Sequence, residues 1–177
     1  GLEVLLRKNT GKLTGWIAYT LSKSEMQTKG RTPEEIGINY GDWYSAAYDK
    51  PHDLSITATY EASPKWTFGA VFNLQSGLPA NYPVGRYSYL GKTLPVYSKR
   101  NEYRLPTYHR LDLSATYTPE RTNKRWKGEW VFGVYNVYNR KNAVSVSFRE
   151  NEDTKRNEAV KLSIFGIIPS VTYNFSF

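Results

Sequence analysis

Apolar and polar residues alternate with a period of two along most of the chain. In the segment 53–60 the even positions are apolar or aromatic, and every odd position is Asp, Ser or Thr. Because successive side chains of a β-strand point to opposite faces, this pattern predicts a strand with one apolar and one polar face. The segments 66–74 and 111–117 follow the same rule.

The alternation predicts seven strands, at roughly 1–8, 11–27, 50–62, 64–77, 105–119, 126–150 and 159–177. No segment competes as a helix, so the expected fold class is all-β and antiparallel. Segment 11–27 alternates less regularly than the others, and its facing is left open. The apolar face is expected to carry Leu54, Ile56, Tyr60, Phe68, Phe72, Leu111, Leu113, Val171, Tyr173 and Phe175.

The predicted connections alternate between short and long. Residues 9–10, 62–63 and 120–125 form short connections, whereas 28–49, 78–104 and 151–158 are longer. Bacterial outer-membrane barrels have short periplasmic turns and longer extracellular loops. The alternation therefore predicts a periplasmic C-terminus and places Gly1 at the outer surface.

The composition fits a membrane-spanning sheet better than a membrane-spanning helix. The chain has 15 Tyr, 5 Trp and 7 Phe, yet its mean hydropathy is low. A barrel buries only every second residue in lipid, whereas a spanning helix needs about 20 consecutive apolar residues, and no such run occurs. The segment 167–177 alternates up to a terminal Phe177, as a closing barrel strand does.

Seven strands are an odd number for a bacterial barrel. An open sheet in lipid leaves unpaired backbone groups at its edges, each costing several kcal/mol. The expectation is therefore a transmembrane barrel segment completed by further strands. These strands come from a missing N-terminal part, from another chain or from copies of the same chain.

Several motifs resemble the C-terminal barrel of TonB-dependent outer-membrane receptors. They are Arg104–Ser114, Val134–Asn142 and Tyr173–Phe177, in that order, with Asp49–His52 and Gln75–Pro79 upstream. The Tyr-rich composition of these segments is similar to that of receptors of the Bacteroidota. The resemblance implies a 22-stranded parent barrel with an N-terminal plug, of which residues 1–177 form the C-terminal portion, without the plug and the N-terminal strands.

The resemblance also implies a function and partners. Such receptors import a scarce nutrient (a siderophore, haem, cobalamin, a glycan or a peptide) with energy supplied through TonB. The implied partners are the remaining strands and plug of the receptor, possibly as a separate chain, and TonB through the missing N-terminal part. Outer-membrane lipid, lipopolysaccharide and the barrel-assembly machinery, which Phe177 is expected to engage, complete the set. Two alternatives remain: a non-energised structural or adhesive outer-membrane barrel, and a soluble carbohydrate-binding β-sandwich.

Charged and bend-forming residues within the motifs have structural interpretations. Arg110 and Asp112 share the polar face of their predicted strand, which predicts a lumen ion pair with each other or with the plug; ligand contact is the alternative. Asn136 and Asn139 predict a bulge or bend, because Asn tolerates left-handed backbone geometry.

The long connections hold the candidate substrate-binding residues. Tyr offers a flat apolar face with a polar tip, and Arg binds carboxylates bidentately. The alternative is an aromatic belt with lipopolysaccharide contacts. The candidates are Tyr82, Arg86, Tyr87, Tyr89, Tyr97 and Arg100 in segment 78–104, and Trp43 and Tyr44 in segment 28–49.

Other classes of function find little support in the sequence. The net charge is +8, but Lys and Arg are spread over turns and loops, so no nucleic-acid partner is expected. The densest basic cluster, Arg121, Lys124, Arg125 and Lys127, falls in a predicted periplasmic turn. No G-x-S-x-G motif, glycine-rich phosphate loop or Cys occurs, and His52 and His109 lie far apart. We therefore expect no enzyme, no cofactor and no metal site.

Overall fold

A computed structural model describes residues 1–119, 127–151, 153 and 157–176, and these residues form an all-β fold. Arg121, Lys124 and Arg125 of the basic cluster and the terminal Phe177 lie outside the described residues, whereas Lys127 of that cluster is the first residue of a strand. The strands are β1 Leu2–Lys8, β2 Leu13–Leu21, β3 Glu25–Met26, β4 Tyr44–Ser45, β5 His52–Glu61, β6 Trp66–Gln75, β7 Pro79–Ala80, β8 Pro83–Tyr89, β9 Lys92–Tyr97, β10 Tyr103–Arg104, β11 Tyr108–Tyr117, β12 Lys127–Tyr135, β13 Ser145–Glu150, β14 Asn157–Leu162 and β15 Ile168–Ser176.

One sheet of seven antiparallel strands dominates the described part of the chain, in the order β1-β2-β5-β6-β11-β12-β15. Each strand pairs with the next sheet strand along the chain, so the topology is a meander. Strands β1 and β15 are its edges, and the sheet is open. The all-β antiparallel class expected from the sequence is thus confirmed.

The predicted strands all occur in the sheet, but three of them were predicted too long. Segment 126–150 ends as a strand at Tyr135, because Asn136 and Asn139 adopt left-handed φ angles of 54°. The bend expected at these two residues is thus confirmed. Segment 159–177 is divided between β14 and β15, and segment 11–27 ends as a sheet strand at Leu21. Of the predicted connection 151–158, residues 157 and 158 belong to β14, and residues 152 and 154–156 lie outside the described residues.

The strand register places apolar and polar residues on opposite faces of the large sheet. One row of register partners across β2, β5, β6, β11, β12 and β15 consists of apolar side chains. The adjacent row, one residue further along each strand, has small and mostly polar side chains. The predicted facing is therefore confirmed, and β2 joins it. The apolar row is Leu13, Tyr60, Phe68, Ala115, Phe132 and Val171, and the neighbouring row is Thr14, Thr59, Gly69, Ser114, Gly133 and Ser170.

The apolar face is exposed rather than packed into a core. Tyr60, Phe68, Phe132 and Val171 are 46%, 44%, 42% and 62% exposed. Among the described residues, the buried hydrophobic residues are Tyr44 and Ala46 alone. The surface area is 13199 Å², whereas a folded monomer of this mass exposes about 8,800 Å². Exposed apolar faces of this kind are typical of surfaces that contact a partner or a lipid phase.

Three long connections lie at one end of the sheet, after β2, β6 and β12, and short connections join the strands at the other end. Small two-stranded sheets form within the long connections: β3 with β4, β7 with β10, β8 with β9 and β13 with β14. A single 3-10 turn, Ile38–Gly41, lies in the described part of the first one. No helix within the described residues is long and apolar enough to cross a membrane.

Candidate functional site

The three long connections form the candidate site. Because antiparallel neighbours reverse direction, the connections 22–51, 76–107 and 136–167 all leave the same end of the sheet. The candidate substrate-binding residues predicted from the sequence lie in the first two connections. The site is therefore a cluster of loops, held at one end of a regular sheet.

A buried ion pair joins the first two long connections. Asp49 is 2% exposed, and its carboxylate pairs with the Arg104 guanidinium. Nη1 of Arg104 also donates to the carbonyl oxygens of Asp49 and Gly77, at 3.0 and 3.1 Å. The backbone N–H of Ser24 donates to Asp49 Oδ1 at 2.6 Å. This Asp49–Arg104 clamp joins loop segments at Ser24, Asp49 and Gly77 to Arg104 of β10.

A second set of hydrogen bonds joins the same two connections nearer their tips. Asn39 Oδ1 accepts from the backbone N–H of Arg100 at 2.7 Å, and Asn39 Nδ2 donates to the Arg100 carbonyl at 3.1 Å. Asn101 Nδ2 donates to the Ser45 carbonyl at 2.7 Å. The predicted candidate Arg100 therefore connects the loops through its backbone, while its side chain is exposed.

The β8–β9 hairpin carries three of the six predicted aromatic candidates, and its geometry divides them between two faces. Its turn residues, Leu90 and Gly91, both have positive φ angles, 49° and 74°, as in a type I′ turn. Arg86 pairs with Pro95, and Tyr87 pairs with Leu94. Since alternate residues share a face, Arg86 and Tyr97 lie on one face, and Tyr87 and Tyr89 lie on the other.

The Arg86 face of the β8–β9 hairpin lines a groove shared with the β13–β14 hairpin. Tyr82 connects the two sides: its ring stacks on Tyr103 at 5.3 Å and contacts the Phe148 ring edge-on at 5.1 Å. The groove has a volume of about 780 Å³, and Tyr97, Phe148, Arg86 and Arg149 are among its lining residues. We call it the hairpin groove.

The remaining two loop candidates, Trp43 and Tyr44, have opposite environments. Trp43 is 62% exposed, whereas Tyr44 is 7% exposed. The Tyr44 hydroxyl lies 3.3 Å from Thr28 Oγ1, so it forms a hydrogen bond within the same connection. Only Trp43 of these two presents its ring to a ligand in this structure.

Arg110 and Asp112 form the ion pair expected from the sequence. Arg110 Nη2 lies 2.8 Å from Asp112 Oδ2, and Arg110 Nε donates to the same oxygen at 2.9 Å. Nη1 of Arg110 donates to the hydroxyls of Tyr108 and Tyr135 at 2.9 and 2.8 Å. The guanidinium also lies over the Tyr135 ring, 4.1 Å from its centroid. The pair is thus part of a fixed polar network on the polar face of the sheet.

The bend after β12 is locked to this network by Asn136. Its backbone N–H donates to Asp112 Oδ1 at 2.8 Å, and its side chain exchanges two hydrogen bonds with the backbone of Arg140, at 2.9 and 3.0 Å. Asn136 is 1% exposed. Next to it, the Tyr138 hydroxyl lies 2.8 Å from His109 Nδ1, and burial raises the pKa of Tyr138 above its ordinary value.

The sequence patterns did not indicate the role of Asp49, Phe148 or Arg149. Asp49 and Arg104 are separated by 55 positions, and the two sides of the hairpin groove belong to different connections. No periodicity relates such residues, since loops have no repeating geometry. Within the described residues, no group of three or more His, Asp or Glu side chains could hold a metal ion.

No family model, curated protein or solved structure matches the chain.

Proposed function

We propose that the chain forms part of the wall and the extracellular loops of a TonB-dependent active transporter in the bacterial outer membrane. The transporter imports a scarce nutrient, its C-terminus lies in the periplasm, and further strands of the receptor pair with β1 and β15. The observation that carries the proposal is the apolar face of the seven-stranded sheet, which stays exposed across all strands. A lipid bilayer would cover such a face.

Aromatic residues on this face support a membrane position. Trp66, Tyr117, Trp130 and Tyr173 are register neighbours across four strands, near the short connections. Ring centroids of Trp66 and Tyr117 lie 4.9 Å apart, and those of Trp130 and Tyr173 lie 4.7 Å apart. Outer-membrane barrels carry such aromatic girdles at the lipid–water interface. This row would form the periplasmic girdle.

The height of the apolar band supports the same position. Tyr117 and His109 are the two end positions of β11 on this face, about 27 Å apart along an antiparallel strand. At a strand tilt of 35–45°, that length spans roughly 20 Å, comparable to the apolar band about 25 Å tall in outer-membrane barrels. His109 and the adjoining Tyr138 would then lie at the outer interface.

A soluble β-sandwich would need a second sheet to cover the apolar face. The other sheets in the described part of the chain have only two strands each and lie in the long connections. A barrel segment in lipid needs no such cover.

Two adjacent residues of β5 provide the test. Ile56 pairs with Ile17 and Phe72 on the apolar face, whereas Ser55 pairs with Ala18 and Asn73 on the opposite face. An arginine at mid-membrane depth on the lipid side costs about 2 to 4 kcal/mol. Ile56→Arg should therefore strongly reduce the folded, urea-resistant protein in outer-membrane fractions, and Ser55→Arg should reduce it much less. Equal losses for both variants would contradict the proposed lipid face.

A further inference from the structure

Paired histidine and tyrosine side chains mark the loop end of the apolar face. Tyr19 and His109 belong to one row of register partners on this face, and His52 lies two residues nearer the loops. The Tyr19 hydroxyl lies 2.8 Å from His52 Nδ1, as the Tyr138 hydroxyl does from His109 Nδ1. Rings with an apolar body and a polar tip favour the boundary between an apolar phase and water. The apolar face therefore ends in interfacial side chains on the loop side as well.

Arg140 places a cation at this boundary. Its Nη2 donates to the Thr107 carbonyl at 3.0 Å, and its Nε donates to Asn142 Oδ1 at 3.2 Å. Asn142 exchanges two hydrogen bonds with the His109 backbone, at 3.2 and 2.9 Å, so the guanidinium is fixed beside the start of β11. A guanidinium has five N–H donors, and its contacts with the described residues use two of them.

No carboxylate within the described part of the chain forms an ion pair with Arg140. Asp112, the acidic residue of β11, is paired with Arg110 on the opposite face of the sheet. Glu150 lies at the far end of β13 from Ser145, about 17 Å along the strand from the base of the β13–β14 hairpin. The positive charge of Arg140 is therefore available to a ligand.

Two further groups accompany the Arg140 guanidinium. Burial raises the pKa of Tyr138, and the Arg140 charge opposes this rise, so the guanidinium lies near the Tyr138 hydroxyl. Lys141 is exposed, and its Nζ lies beside Gly166, just before β15. The bend after β12 thus carries one cation on its β11 side and a second on its β15 side.

We infer that the bend after β12 binds the phosphate group of an outer-leaflet lipid. Arg140 donates charge-assisted hydrogen bonds to the phosphate oxygens, and Lys141 adds a second positive charge. A lipid fits this place better than a free anion, because Leu113 and Phe132 of the adjoining apolar face are each 42% exposed and can contact acyl chains. The inference rests on the proposed function in one respect, that the apolar face lies in the outer membrane.

The test uses the whole protein in detergent and matched lipid probes, lipid A with its phosphate groups and the same lipid after dephosphorylation. Quantitative native mass spectrometry should give an affinity about tenfold higher for the phosphorylated form, as expected for hydrogen bonds to a charged group. Arg140→Gln should remove most of this preference, and Lys141→Gln should reduce it by a smaller factor. Lys92→Gln, which removes a cation from the first position of β9, should retain it.

The two substitutions in the bend differ in their effect on the fold. Arg140→Gln loses the hydrogen bonds to Thr107 and Asn142, so the urea unfolding midpoint of each variant is measured alongside binding. The Lys141 side chain donates no hydrogen bond within the described residues. Lys141→Gln therefore tests the charge without this structural effect.

Equal affinity for the two lipids, or a preference that survives both substitutions in the bend, would overturn the inference. Inorganic phosphate that binds through Arg140 as tightly as lipid A would also overturn it, and would assign the site to a free anion. The Ile56→Arg and Ser55→Arg variants separate the two proposals. If these variants behave as expected but the phosphate preference is absent, the lipid site alone is refuted; if the preference is present but the two variants are equally impaired, only the transporter is refuted.

Discussion

Removing the arginine of the Asp49–Arg104 clamp should loosen the long connections without unfolding the sheet. Arg104→Ala would leave the carboxylate of Asp49, which is 2% exposed, with the Ser24 N–H as its remaining described hydrogen bond. Breaking a buried ion pair typically costs about 3 to 5 kcal/mol. Because the Arg104 side chain is 34% exposed, water partly replaces it, and we expect the lower end, about 3 kcal/mol.

Hydrogen exchange with mass spectrometry, on the protein in detergent, measures this effect locally. The amides of Ala46 and Leu105 donate to carbonyls within the tied segments, at 2.9 Å each. A local loss of about 3 kcal/mol should accelerate their exchange on the order of 100-fold. Amides of β6 and β11 in the sheet should keep their protection.

A second ion pair between the same two connections supplies the control. Lys99 Nζ lies 3.4 Å from Asp42 Oδ2, with side chains 48% and 66% exposed. Exposed pairs contribute below about 1 kcal/mol, so Lys99→Ala should change exchange by no more than about fivefold. If Arg104→Ala and Lys99→Ala accelerated exchange equally, or if Arg104→Ala had no effect, burial of the clamp would not govern loop stability.

Three further substitutions test the loop geometry. Leu90→Asn should stabilise the β8–β9 turn by about 1 kcal/mol, because Leu90 occupies a left-handed position that type I′ turns reserve for Asn or Gly; hairpin amides should exchange more slowly, and faster exchange would contradict the assignment. Asn136→Ala should cost about 2 to 3 kcal/mol in urea unfolding, since it loses two side-chain hydrogen bonds at a φ of 54°. Asn136→Gly should fall between the variant and the native protein, and equal midpoints for all three would refute this role. Gly77→Ala should open the loops to limited proteolysis, because its Cβ would lie 1.6 Å from the Leu105 carbonyl oxygen; Gly85→Ala, with open space around it, is the control and should be cleaved like the native protein.

Tyr82 connects the segment that contains Arg104 with the hairpin groove. The Tyr82 hydroxyl donates a hydrogen bond to the Arg104 carbonyl oxygen at 3.3 Å. The Tyr82 ring also contacts the Phe148 ring, which lines the hairpin groove. The clamp uses the Arg104 side chain, whereas Tyr82 bonds the Arg104 backbone.

The sequence by itself determined which segments form the large sheet and how they face, but not where three of its strands begin or end. Strand positions and their facing follow from alternation, because the two-residue repeat of an extended backbone assigns each side chain to a face without regard to the rest of the fold. Strand β5 and segment 111–117 of β11 show the predicted facing. The bend after β12 could also be predicted from the sequence, because Asn136 and Asn139 tolerate the left-handed backbone geometry that the chain adopts there.

Only the tertiary structure decided how the loops are arranged. The pairing of Asp49 with Arg104, the burial of Tyr44 and the contact between Tyr82 and Phe148 all join residues whose separation follows no repeat. Such contacts depend on where the sheet places the ends of each connection, and each contributes about 1 to 3 kcal/mol through partners from different segments. A local pattern specifies local geometry, whereas these partners become neighbours only when the strands between them have paired.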